Sequence, residues 1–238
     1  MATTPQLRTA GPGGQETEAC VHFGDSIYEI MTLDGAIVKS QTKLKEAGVE
    51  TIPEVFGQAL FDMCLCKAID ASLTYITDLL RAIYRTKPDA LRSSEKIDVN
   101  FIMEHSSMDE LIAAILERRV YELSYKSIDD LSGELSKKLG IGLFFDDQQK
   151  EEAVRLVGIR NLLIHNRGIV NEKFKRDNPK STEKVGNSVR LAIKENSAAM
   201  IFLVNWIADL DVRLIEKFGL PTVPRVQRPW TEKFGQIE

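Results

Sequence analysis

Helix-forming patterns follow one another along almost the whole chain, and this feature most restricts the fold. Apolar residues recur at spacings of three and four most clearly in residues 55–86. Five further segments show helical patterning: 22–44, 106–123, 127–140, 144–168 and 196–218. Only the short run "SVRLAI" is typical of a strand. The sequence therefore predicts an all-α helical bundle, with one short strand or hairpin between the last two helices.

Several helix ends are marked by capping residues. Ser107 is followed three positions later by Glu110, the spacing of a capping box. Ser127 is placed to cap the next helix, and Gly140 is placed to end it. These signals predict where two of the helices begin and where one of them stops.

Composition indicates an ordinary globular protein. The chain has 238 residues, of which 43% are hydrophobic and 28% charged. We expect a flexible N-terminal tail at 1–14, a single helical domain at 15–220 with its core at about 55–220, and a proline-containing C-terminal tail at 221–238. The start lacks the pattern of a secretory signal, and the longest apolar run is too short to span a bilayer. A cytoplasmic protein without a membrane partner is predicted.

The cysteines and histidines do not suggest a metal site. Cys20, Cys64 and Cys66 form no disulfide or zinc-finger framework. Cys64 and Cys66 point about 200° apart on a helix, which favours buried small residues over a shared metal. His22 and His105 have no acidic or cysteine partner at ligand spacing. We therefore expect no metal and no cofactor.

The stretch "RNLLIHNRG", residues 160–168, places polar side chains in an aliphatic helix. At 100° per residue, Asn161 and His165 fall within a wedge of about 40°, and Gly158 lies in the same polar seam. A missing side chain at Gly158 would let another backbone or a ligand approach. Arg160 lies about 100° from the centre of the seam and about 7.5 Å from His165 along the axis. Arg160 and His165 could therefore contact the two ends of one ligand.

This combination of side chains suits a phosphodiester. A guanidinium binds phosphate oxygens in a bidentate fork, and an imidazole can take or give a proton near neutral pH. RNA supplies its own nucleophile in the 2′-hydroxyl, so a metal-free enzyme needs only a base, an acid and a cation. The alternative is that Asn161 and His165 form a satisfied pair in the core, bonded to neighbouring carbonyls.

The phrase "RNLLIHNRGIVNEKF" resembles the ribonuclease motif of the HEPN family, the higher eukaryotes and prokaryotes nucleotide-binding domains. That motif is an Arg, a polar residue, a few apolar positions and a His at the end of a long helix in a small bundle. The order of parts is similar over about residues 55–220. The resemblance implies that Arg160, Asn161 and His165 are catalytic and that cleavage is metal-independent, leaving a 2′,3′-cyclic phosphate.

The resemblance also implies partners. Two protomers would pair through their motif helices, which brings a second histidine into one cleft. A toxin or phage-defence role would add an antitoxin or another partner protein. One HEPN subgroup carries a tyrosine two positions after the histidine, which a nucleotidyltransferase modifies to silence the toxin. Arg167 occupies that position here, so this mode of control is not expected.

Basic residues are concentrated around the motif. Residues 153–194 contain ten Lys or Arg and three Asp or Glu, a surplus of seven, whereas the whole chain has a net charge of −4. Such a zone would attract phosphates, and Phe174 is the one aromatic residue there placed for base stacking. A solvated loop is the alternative. The candidate RNA-binding residues are Arg155, Arg167, Lys173, Lys175 and Arg176.

Two functional hypotheses follow from these patterns. The first is a metal-independent HEPN-type endoribonuclease that acts as a homodimer, as a toxin or phage-defence effector. The second is a non-catalytic HEPN module that binds a nucleotide, RNA or a protein partner. A monomer, or an Arg160 side chain held in an internal ion pair, would favour the second. A structural helical protein with a buried Asn161/His165 pair is a third interpretation.

Overall fold

The computed structural model describes residues 14–48, 54–91 and 96–226, and parts of both predicted tails lie outside these ranges. The described chain is built from α-helices with one small β-ribbon, which confirms the all-α prediction. The helices are α1 (Glu18–Glu46), α2 (Glu54–Thr86), α3 (Val99–Met103), α4 (Met108–Ser124), α5 (Ile128–Leu139), α6 (Asp147–His165), α7 (Glu172–Asp177) and α8 (Ile193–Phe218). A 3₁₀ turn covers Pro88–Leu91, and the strands are β1 (Gln15–Glu16) and β2 (Val223–Pro224).

Helix α2 is the centre of the bundle, because it packs against α1, α4, α6 and α8. Its fully buried side chains recur at helical spacing, for example Leu65, Ile69 and Ile76. The hydrophobic core also takes in Phe23 and Ile27 of α1. The long first helix is therefore part of the same core as the motif helix.

The predicted N-caps of α4 and α5 and the predicted end of α5 are confirmed, but the Glu110 carboxylate accepts from the backbone N–H of Ser106 and does not complete the predicted capping box with Ser107. Ser107 Oγ accepts a hydrogen bond from the backbone N–H of Glu110 at 3.2 Å. Ser127 Oγ accepts one from the N–H of Asp130 at 3.1 Å. Gly140 ends α5 in the left-handed region, at φ +63°. These ends were predictable because each depends on residues within one turn of the helix.

A buried carboxylate joins three helices near the start of the described chain. Asp211 of α8 accepts hydrogen bonds from Thr17 N at 3.0 Å, from Thr17 Oγ1 at 2.5 Å and from Tyr75 Oη at 2.9 Å. Thr17 is also the N-cap of α1, and Tyr75 belongs to α2. Burial raises the pKa of Asp211, although the hydrogen bonds from Thr17 and Tyr75 act in the opposite direction. The cluster fixes where α1 enters the bundle.

The segment between α6 and α8 folds back on itself. Val189 N donates to Gly168 O at 2.7 Å, and Val170 N donates to Asn187 O at 2.9 Å. Only one bridge, between Ile169 and Ser188, forms where the sequence predicted a short strand or hairpin. The loop closed by these bonds contains α7, a helix of six residues that the sequence pattern does not indicate.

The β-ribbon connects the two ends of the described chain. Gln15 lies opposite Pro224, and Glu16 lies opposite Val223, in antiparallel register. The C-terminal segment after residue 220 therefore begins with a short paired strand. Among the described helices, none is long and apolar enough to cross a membrane.

Candidate functional site

Helix α6 carries the motif and is held firmly in the bundle. Its N-cap is Asp146, whose carboxylate accepts from Gln149 N at 2.7 Å. Ala153, Leu156, Ile159 and Leu162 are buried at spacings of three and form its core face. The motif residues therefore project from the edges of a helix that packing fixes in place.

The polar seam of α6 is divided into two halves, and the N-terminal half is covered. A Cβ atom at Gly158 would lie 2.8 Å from Phe174 Cδ2 and 3.2 Å from Asn178 Nδ2. The missing side chain thus makes room for the α7 ring of the same chain, not for a ligand or a second protomer. Phe174 is only 4% exposed, so the prediction that it stacks on RNA bases is wrong.

The C-terminal half of the seam is open. Asn161 and His165 are both exposed, and Ile164 between them is 47% exposed. Within the described residues, the His165 imidazole makes no hydrogen bond or ion pair. The interpretation of a buried and satisfied Asn161/His165 pair is therefore wrong, and both side chains are available to a ligand.

Arg160 is tethered to the neighbouring helix α2. Its Nε donates to Asp70 Oδ1 at 2.9 Å and its Nη2 lies 2.8 Å from the same oxygen, while Nη1 donates to Asn161 Oδ1 at 3.0 Å. The side chain remains 23% exposed. These contacts engage three of the five N–H donors of a guanidinium, which leaves two for a ligand. Arg160 is thus ion-paired and oriented, with donor capacity remaining.

The α2 face beside Arg160 carries a row of polar residues at spacings of four: Gln58, Asp62, Cys66 and Asp70. Gln58 Nε2 donates to Asp62 Oδ1 at 2.9 Å. Burial raises the pKa of the Cys66 thiol to about 11; Asp70 adds to this shift, and Arg160 opposes it. The spacing alone could have indicated a polar face on α2, but no sequence signal paired it with α6.

Four of the five predicted RNA-binding side chains already have partners within the chain. Arg155 lies 3.2 Å from Glu152 and 3.2 Å from Glu183. Burial acts to raise the pKa of Glu183, but the pKa is lowered overall, in part by hydrogen bonds that Ser181 and Arg155 donate to the carboxylate. The Arg155 guanidinium, which is 27% exposed, is committed to these two carboxylates.

On α7, three basic side chains contact acceptors of the same segment. Lys173 pairs with Asp177, and Arg176 Nε lies 3.6 Å from Asp177 Oδ1. Lys175 donates to the backbone carbonyl of Ser181. Lys173 and Arg176 are still 70% and 74% exposed, and surface pairs of this kind are weak. They remain accessible to a phosphate, unlike Arg155.

Arg167 is the predicted RNA-binding residue with the least internal engagement. It is exposed, and no partner for its guanidinium lies within the described residues. Its φ of +54° is the only positive value among the described non-glycine residues, a conformation that costs roughly 1–2 kcal/mol. Arg167 follows His165 by two positions, so along the chain this strained and exposed cation is close to the open half of the seam.

The basic zone is more neutral in three dimensions than along the sequence. Six of its ten basic side chains are paired with carboxylates: Arg155, Arg160, Lys173, Arg176, Lys180 and Arg190. Four of those carboxylates come from outside residues 153–194: Asp62, Asp70, Glu151 and Glu152. A surplus of positive charge is therefore confined to fewer positions than the sequence predicted.

A surface depression of about 920 Å³ lies at the opposite end of α6. Eight carboxylates and three basic side chains line it, including Asp147, Glu152 and Arg155. Its lining reaches along α6 as far as Arg155, which is ten residues, or about 15 Å of helix, from His165. Its acidic lining does not suit a phosphate, so the candidate site is the open C-terminal half of the seam.

In the described part of the chain, no group of three His, Cys, Asp or Glu side chains is placed to hold a metal ion. The candidate site consists of Arg160, Asn161 and His165, together with Asp70, Cys66 and Arg167 around them.

No protein-family model, curated protein sequence or solved structure matches this chain.

Proposed function

We propose that this chain is a metal-independent endoribonuclease of the HEPN type. The observation that carries the proposal is the open edge of α6, where Asn161 and His165 are exposed beside an oriented Arg160. An imidazole without an internal partner can exchange a proton with a substrate. The guanidinium keeps two N–H donors for phosphate oxygens.

The chemistry requires one base and one acid. The 2′-hydroxyl loses its proton to the base and attacks the adjacent phosphorus, while the bond to the 5′-oxygen breaks and that oxygen takes a proton from the acid. The products are a 2′,3′-cyclic phosphate and a 5′-hydroxyl. Arg160 would stabilise the negative charge that develops on the phosphoryl oxygens.

Each chain offers a single histidine at this site, so a homodimer would supply the second proton-transfer group. Ile164 is 47% exposed next to His165, and a two-fold contact at this edge would cover it. The RNA backbone would be guided mainly by Arg167, with Lys173 and Arg176 as weaker contacts. As the HEPN resemblance implies, the biological role would be that of a cytoplasmic toxin or phage-defence effector, restrained by an antitoxin or another partner protein.

A second candidate is a non-catalytic HEPN module that binds a nucleotide, RNA or a protein partner. The ion pair between Arg160 and Asp70 at 2.8 Å favours it, because an internal partner competes with the substrate phosphate. The two candidates differ in the use of Arg160. In the ribonuclease, Asp70 would orient the Arg160 guanidinium toward the substrate phosphate. In the binding module, Asp70 would keep the guanidinium from binding that phosphate.

The decisive experiment is incubation of the purified chain with total RNA in EDTA, with His165→Ala prepared in parallel. Cleavage should survive chelation and leave cyclic phosphate ends, and His165→Ala should reduce the rate by about 10²-fold or more. His22→Ala is the matched control, because His22 is also exposed and lies on α1. Complete loss of cleavage in EDTA, or equal rates for His165→Ala and wild type, would overturn the proposal.

The two candidates are separated by an RNA in which 2′-deoxyribose blocks the attack. The ribonuclease should bind this analogue and cleave the matching natural RNA, whereas the binding module should bind both without cleaving either. Arg160→Lys should reduce cleavage, because an ammonium cannot reproduce the fork. Light scattering of the chain at tens of micromolar should show a dimer. A monomer would mean that no partner chain supplies the second histidine.

A further inference from the structure

Helix α3 presents an apolar face to solvent. Val99, Ile102 and Met103 occupy positions i, i+3 and i+4, which lie on one side of a helix. They are 70%, 41% and 78% exposed, and none of the five residues of α3 is buried. A face with this spacing normally packs against a core, and here the described chain leaves it uncovered.

The start of α4 extends this apolar surface. Met108 and Ile112, one turn apart, are 68% and 37% exposed. Along the chain, only residues 104–107 separate α4 from α3. We name the five side chains of both faces the α3–α4 patch: Val99, Ile102, Met103, Met108 and Ile112. Exposed apolar side chains that gather in one patch are a feature of interaction sites.

The segment that carries the patch is acidic. Asp98, Glu104, Asp109 and Glu110 lie between or beside its members, and Lys96 is the one basic residue in 96–112, so this segment carries a net charge of −3. Asp98 and Glu110 also accept backbone hydrogen bonds from Asn100 and Ser106, which holds their charges in place. The patch therefore combines apolar and methionine side chains with a fixed negative rim.

We propose that the α3–α4 patch is a docking site for a basic amphipathic helix of a partner protein. The apolar face of such a helix would cover the methionines, which adapt well to different partner shapes, and its Lys or Arg side chains would meet the acidic rim. The recognition mode is that of a helix laid on an apolar surface, with anchors at i, i+3, i+4 and i+7. This inference does not depend on the proposed ribonuclease activity.

The negative charge of the segment favours a basic partner over two other occupants of an apolar face, a second copy of the chain and a lipid surface. A symmetric contact with a second copy would place two acidic rims against each other. An anionic lipid surface would be repelled by the same carboxylates. Only a basic partner gains from both the apolar patch and its rim.

The probe is a synthetic 14-residue helical peptide with Leu at i, i+3, i+4 and i+7 and Lys at its remaining positions. A second peptide carries Glu in place of every Lys. Isothermal titration of the full chain should show binding of the Lys peptide, weakened by salt, and at least tenfold weaker binding of the Glu peptide. Equal binding of the two peptides would overturn the proposal.

Variants locate the binding on the patch. Val99→Ser combined with Met103→Ser should weaken the Lys peptide at least tenfold, since both side chains are largely exposed and their loss leaves the core intact. Leu33→Ser combined with Val38→Ser is the matched control, because these α1 residues are 53% and 40% exposed and lie outside the patch. Unchanged binding by the patch variant contradicts the proposal. So does wild-type self-association in sedimentation that the patch variant abolishes, which would identify a second copy as the occupant.

Discussion

The buried cluster at Asp211 and the open seam at Arg160 are both polar contacts between helices, yet they differ in how many hydrogen-bonding groups remain without a partner. Asp211 is 2% exposed, and its carboxylate receives three hydrogen bonds from Thr17 and Tyr75. Arg160 keeps two N–H donors, and Asn161 and His165 beside it are exposed. A polar group whose partners are complete contributes to the fold, whereas unused donors at the surface are available for binding.

The largest expected effect is a difference in the free energy of unfolding between a substitution in the buried cluster and one in the open seam. Asp211→Ala leaves the Thr17 N–H, the Thr17 hydroxyl and the Tyr75 hydroxyl without an acceptor, which should lower the free energy of unfolding by about 3–5 kcal/mol. His165→Ala should change it by less than about 0.5 kcal/mol, as for other exposed positions. Urea denaturation of both variants measures the difference. Similar losses in the two would mean that the seam is structural as well.

The pH dependence of stability sharpens the same contrast. Burial raises the pKa of Asp211 above the usual 3.8, so the folded chain holds this proton more tightly than the unfolded chain does. Its contribution to stability should be full below about pH 3.8 and should fall as the pH rises through the raised value. Asp211→Asn lacks this titration. The stability of the wild type relative to Asp211→Asn should therefore decline with rising pH in that window, and a rise would contradict the protonation argument.

The covered half of the seam should behave like the buried cluster. Gly158→Leu forces a side chain against the Phe174 ring, and overpacking of this kind costs about 1–3 kcal/mol. The dimer and the activity of the folded fraction should stay unchanged. Gly133→Ala on α5 is the control, because nothing lies within 4 Å of the new methyl group, and it should stabilise by up to about 1 kcal/mol. Loss of the dimer without loss of stability would place Gly158 at an intermolecular contact.

Arg167→Gly tests the strained cation next to the open half. Glycine relieves the positive φ, so the free energy of unfolding should rise by roughly 1 kcal/mol. RNA binding should weaken, and the slope of log affinity against log salt should flatten by about 0.7 for one lost phosphate contact. Lys173→Gln, which removes a charge already paired with Asp177, should flatten the slope less. Equal slopes for wild type and Arg167→Gly would exclude this contact.

The smallest expected effect uses Cys66 as a reporter of the Arg160–Asp70 pair. With a pKa of about 11, this thiol should react slowly with iodoacetamide at pH 9. Asp70→Asn removes a negative charge that raises this pKa, so alkylation should become a few-fold faster, whereas Arg160→Ala should slow it. Peptide mapping by mass spectrometry separates Cys66 from the buried Cys20 and Cys64. No change in Asp70→Asn would mean that the Asp70 carboxylate does not raise the pKa of this thiol in solution.

The sequence by itself determined the helical class, the positions of the long helices and the face shared by Asn161 and His165. These features follow from the 3.6-residue period and from caps that bond within one turn, as at Ser107 and Ser127. Helices α3 and α7 escaped prediction because five or six residues are too short to establish a period. The sequence therefore predicted which polar residues of the motif share a face, but it did not predict the short helices α3 and α7.

Only the tertiary structure decided which parts of that face stay open. Phe174 closes the seam over Gly158, and Asp70 reaches Arg160 across 90 positions of sequence. Acidic residues of α2 and α6 neutralise much of the basic zone that the sequence counted as free. The physical reason is that periodicity and capping act over a few residues, whereas ion pairing and steric closure depend on which helices the hydrophobic core brings together.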